Sequence, residues 1–65
     1  MLNANKLKAK IIESGLNIAK VAELLGINTA TLYRKISNGH FLVQEIKKLR
    51  TILKLTLEEI DEIFL

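Results

Sequence analysis

Asn17, Gly26 and Asn28 set the tightest constraint on this chain. Asn17 suits the cap position before a helix, Gly26 suits its end, and only Gly26-Ile27 separates that end from Asn28, the cap of the next helix. Two helices joined by so short a turn must cross steeply instead of lying antiparallel, which is the helix-turn-helix arrangement. The residue types fit. Ala22 is small where the two helices come closest, and Gly26 follows four residues later, where the turn needs a positive φ. Val21, Leu25, Ile27 and Leu32 are left to fill the wedge between them.

The remaining sequence divides into three more short helical segments. Leu7, Ile11 and Ile12 recur at helical spacing from about Asn5 to Ser14, with Gly15 placed as a left-handed stop. The second segment, from Asn17 to Leu25, turns Val21, Ala22, Leu24 and Leu25 inward. The third, from Asn28 to Asn38, has only a narrow apolar stripe of Leu32 and Ile36, which leaves most of its circumference exposed. Asn38-Gly39 ends it, and His40-Phe41-Leu42 forms a loop. A fourth segment, about Val43 to Leu53, aligns Val43, Ile46, Leu49 and Leu53 against Lys47, Lys48 and Arg50. In the fifth, Thr56-Leu57-Glu58-Glu59 reads as a capping box, with Leu55 and Ile60 as its hydrophobic staple. No repeat or linker interrupts this pattern, so residues 1–65 are expected to form one all-α, five-helix domain.

Composition narrows the classes of function. With no Cys, no Pro and a single His, the chain has no disulfide framework and no set of metal ligands. No cofactor is expected, and no catalytic constellation or Gly-rich phosphate loop is present, so the chain does not read as an enzyme. No apolar run is long enough for a membrane span, and the start lacks a signal-peptide core; a cytoplasmic protein is expected. Residues 1–54 carry ten bases against Glu13, Glu23 and Glu45, a net +7, whereas residues 55–65 carry four acids and no base, a net −4. Such a division suits a polyanion bound on one side of the molecule and repelled from the other.

The helix-turn-helix spacing, together with Leu32-Tyr33-Arg34-Lys35-Ile36, the Asn-Gly turn, Phe41, Glu45, Leu57-Glu58-Glu59-Ile60 and the terminal Ile63-Phe64-Leu65, resembles the small Cro- and repressor-type helix-turn-helix proteins of temperate bacteriophages. The resemblance covers almost the whole chain. It implies a lambda-repressor-like domain whose third helix enters the major groove of double-stranded DNA. The base-facing positions would then be Asn28, Thr29, Ala30, Tyr33, Arg34 and Ser37, with the planar fork of Arg34 matched to guanine. Phosphates would be met by Asn17, Thr31, Lys35, Asn38 and His40. Two residues depart from the wider family: Ile18 stands where a Gln is common, and Lys35 where an apolar residue is usual, with Ile36 supplying the apolar contact.

A symmetric operator implies a pair of chains. Phe41, Leu42, Ile52, Ile63 and Leu65 exceed what one small core can hold, so they are the candidate surface of a weak homodimer, with Phe64 inside and Ile63 and Leu65 outside. The expected function is a sequence-specific regulator that represses by occupying a palindromic operator in a bacterial host, associated with the nucleoid. The alternative keeps the fold but binds a partner repressor protein, as a phage modulator or antirepressor; no small-molecule substrate is expected in either case.

Overall fold

The computed structural model describes residues 1–65 as five α-helices: α1 (Ala4–Glu13), α2 (Ile18–Leu25), α3 (Thr29–Asn38), α4 (Val43–Leu53) and α5 (Leu57–Phe64). Local chemistry sets most of the boundaries. Asn17 Oδ1 accepts from Lys20 N–H at 2.8 Å, and Asn28 Oδ1 accepts from Thr31 N–H at 2.7 Å. Gly26 adopts φ +79°, and Ile27 N–H then donates back to the Ala22 carbonyl at 3.0 Å, closing α2 before α3 begins. The expected capping box is present at α5: Thr56 Oγ1 accepts from Glu59 N–H at 3.1 Å and Glu59 Oε1 from Thr56 N–H at 2.9 Å. The first helix starts earlier than expected, because Asn3 caps it by accepting from Lys6 N–H.

Every helix sends side chains into one core. Leu7 and Ile11 come from α1; Val21, Ala22 and Leu25 from α2; Leu32 and Ile36 from α3; Leu49 and Leu53 from α4; and Leu55 with Ile63 from the last segment. Three residues expected inside lie outside. Ile12, Leu24 and Val43 are 76%, 46% and 68% exposed. Each helix is only two or three turns long and buries one to three residues, so the apolar residue beside that stripe falls outside the core.

The acidic C-terminal segment does not stand apart from the cationic body. The last helix folds back on the first, where Lys6 Nζ meets Glu62 Oε2 at 2.7 Å and Lys10 forms an ion pair with Glu59. Asn3 N–H donates to the Ile63 carbonyl at 2.6 Å, and the terminal amine of Met1 donates to the Leu65 carbonyl at 3.2 Å, so the two chain ends meet. The local ion pairs of α1 and α5 thus replace the expected long-range segregation of charge. No helix is long and apolar enough to cross a membrane.

Candidate nucleic-acid interface

The third helix is held by two core residues and displays the rest. With about 100° of turn per residue, Leu32 and Ile36 point to one side, and Ala30, Arg34, Ser37 and Asn38 occupy the opposite arc; all four are exposed. Tyr33, 55% exposed, and half-buried Thr29 form the flank nearest α1 and α2. Thr31 and Lys35, both half-buried, form the flank nearest α4. Asn28 sits exposed at the entry, its amide oxygen committed to the cap while its amide N–H groups make no bond within the chain. The side chains expected to read bases therefore form one continuous surface, with Arg34 at its centre.

Beside this surface runs a groove of about 550 Å³, lined among others by Ile12, Asn17, Ile18, Ala19, Thr29 and Tyr33. The N-terminus of α2 opens onto it. Lys20 and Val21 N–H groups are taken by Asn17, which leaves the amides of Ile18 and Ala19 with no acceptor in the chain. The groove explains the exposure of Ile12, which with Ile18 makes its apolar wall; the periodicity of α1 placed Ile12 in the core and gave no hint of this role.

Lys35 is not a free phosphate contact. Its Nζ stands 3.2 Å from Glu45 Oε1, and both side chains are largely covered. The pair makes Lys35 a brace between α3 and the start of α4. Arg34 is consequently the one cation of α3 outside an ion pair. Asn38 and His40 are exposed at the far end of the helix and in the loop after Gly39.

The candidate dimer residues divide. Ile63 is completely buried and cannot face a partner, so the expected arrangement of α5 is reversed: Ile63 points inward and Phe64 is half-buried. Phe64 instead has a neighbour at the margin of the core, the Phe41 ring, which packs edge-on against it at 5.7 Å and 79°. Ile52 is half-buried against the core, while Leu42 and Leu65 are 56% and 82% exposed.

No group of His, Cys, Asp and Glu is arranged to hold a metal ion. Neither the comparison with curated proteins nor that with solved structures returns a match. The comparison with protein families matches residues 5–38 to the bacterial regulatory proteins of the Fis family. That stretch is just over half the chain and contains nearly all of α1 through the end of α3, the helices that build and present the surface around Arg34. The chain belongs to the Fis family of bacterial regulatory proteins and carries their DNA-binding helix-turn-helix in its first three helices.

Proposed function

We propose that this protein is a sequence-specific transcriptional regulator that represses by occupying a palindromic operator, with α3 in the major groove. The observation that carries this reading is the continuous outer arc of α3, where Arg34 is flanked by Ala30, Ser37 and Asn38 with Thr29 and Tyr33 at its side. Arg34 pairs with guanine O6 and N7, Thr29 and Ala30 contact a thymine methyl or a base acceptor, and Asn28 donates from its uncommitted amide. The Ile18 and Ala19 amides beside Asn17 take a phosphate at the start of α2. Thr31, Asn38 and His40 hold the backbone on the other flank. This work is cytoplasmic and at the nucleoid.

Two copies bind as a weak homodimer on half-sites about one helical turn apart. The surface for it lies where the chain ends meet the 39–42 loop. Leu2 approaches Gly39, Phe41 packs on Phe64, and Met1 is bonded to Leu65. Leu42 and Leu65 are exposed around this junction, with Phe41 at its edge, whereas Ile52 lies apart beside Lys10 and Ser14. A Cro-like mode of repression is part of this proposal, supported by the resemblance of the sequence in α4 and α5 to such phage proteins.

Selection from a random duplex pool, followed by a salt series on the recovered sequence, tests the reading. A two-fold symmetric site should emerge and bind at least about a thousandfold more tightly than random duplex. Its affinity should fall steeply as salt rises. Recovery of no preferred sequence, with a repressor protein co-purifying from the host, would instead favour the modulator reading, for which the exposed Leu42 and Leu65 are the supporting observation.

A further inference from the structure

Most of the uncompensated positive charge of this domain lies on α4 and its C-cap; outside that stretch only Lys8 on α1 and Arg34 on α3, among Lys and Arg, are unpaired. Lys6, Lys10, Lys20 and Lys35 are all in ion pairs, whereas Lys47, Lys48, Arg50 and Lys54 have none. Lys47, Arg50, Thr51 and Lys54 recur at the i, i+3, i+4, i+7 spacing of one helix face, and together they line a shallow concavity of about 500 Å³. Elsewhere the i,i+3 neighbours of opposite charge are paired, as in Lys10–Glu13 and Lys20–Glu23. Here Lys47 with Arg50, and Arg50 with Lys54, are like-charged neighbours that repel one another across the helix surface. Attraction to the C-terminal carbonyls accounts for Lys54 and Arg50. It does not reach Lys47, which lies in the second turn of α4.

The stripe also faces away from α3. Glu45 marks the side of α4 turned toward the reading helix, because it pairs with Lys35. Lys47 follows Glu45 by two residues and therefore projects about 200° around the helix from it, and Lys54 about 180°. No residue of α1, α2 or α3 lines the concavity. A straight duplex seated on Arg34 cannot meet this face as well.

We infer that the α4 stripe of Lys47, Arg50 and Lys54 is a second, sequence-independent binding surface for the phosphate backbone of a separate segment of duplex DNA. The inference rests on the DNA-binding reading above and adds to it the bridging of two segments. The three cations span about 10 Å along the helix axis, enough to face about two or three successive phosphates of one strand. Thr51 supplies a hydroxyl between them. Polyanion binding relieves the like-charge repulsion that the free helix carries.

Energy transfer between a donor-labelled duplex recovered by selection and an acceptor-labelled random-sequence duplex measures the bridging directly. The full chain should bring the two together at low salt. The triple variant K47A/R50A/K54A, whose sites are all exposed, should keep its helical circular dichroism and its affinity for the selected duplex within about twofold. It should need at least about tenfold more protein to bridge, and the salt slope for capture of the second duplex should fall by about one unit per cation removed. Bridging that survives in the triple variant would come from two copies each holding one duplex, and would overturn the inference. So would a wild-type chain that never bridges. If selection recovers no preferred sequence, two random-sequence duplexes take the place of the pair; bridging of these that depends on α4 supports the stripe while the operator reading falls.

Discussion

Glu45 holds α3 to α4 through a single carboxylate oxygen: Oε1 accepts from Leu42 N–H at 2.8 Å and lies 3.2 Å from Lys35 Nζ. The residue is 8% exposed, the one charged side chain within the core boundary. Replacing it with Ala uncaps α4 and leaves Lys35 half-buried without its partner. E45A should destabilise the domain by about 2 kcal/mol in urea titration, whereas E45Q, which can still accept from Leu42, should recover part of that loss. Both should weaken DNA binding more than their stability change explains if the brace also orients α3.

The clasp between α1 and α5 should make the protein acid-sensitive. The Lys10 ammonium, bonded to Glu59, holds that carboxyl down at about 2, with the Thr56 backbone N–H contributing. Because the folded value lies below the ordinary 4.5, the stabilisation is complete above about 4.5 and fades as pH falls toward about 2. Thermal melts should show the wild type losing stability over that interval. E59Q should start lower at neutral pH and show a flatter profile.

Most of the fold is legible in the sequence because short-range chemistry writes it. Asn17, Gly26, Asn28 and Thr56 occupy cap positions whose partners are three or four residues away, so the five helices and their order follow from spacing alone. The arc around Arg34 follows too, since only Leu32 and Ile36 on α3 are apolar enough to anchor it. Packing between segments distant in the chain is not written locally. Ile63 and Phe64 are neighbours of similar hydrophobicity, and which of them turns inward depends on packing against distant segments such as Phe41. The same holds for Lys35, whose partner ten residues away lies on another helix, and for Glu59 and Glu62, whose partners are at the opposite end of the chain.

Gly26 should tolerate a side chain sterically but not conformationally. An added Cβ would meet nothing within 4 Å, yet φ is +79°. The whole cost of G26A is therefore backbone strain, about 1 kcal/mol. Differential scanning calorimetry should show a lowered melting temperature with an unchanged circular dichroism spectrum, and D-Ala at the same position, by chemical synthesis, should restore it.

The two ends of α5 should separate stability from association. Ile63 is fully buried and Leu65 is 82% exposed. I63A should cost about 2–5 kcal/mol of stability. L65A should leave the melting temperature nearly unchanged and shift sedimentation equilibrium toward monomer. A melting temperature equally depressed by both changes would remove Leu65 from the proposed interface.

Base-by-base affinity measured for wild type and R34A on every single substitution of the selected site tests the central claim most directly. Arg34 is exposed, unpaired and central on α3. If it reads guanine, R34A should lose about 1–3 kcal/mol on the preferred sequence and become indifferent to the base at one position per half-site, while discrimination elsewhere persists. A uniform loss across all sequences, with every preference intact, would make Arg34 a phosphate contact and contradict base readout at the centre of this face.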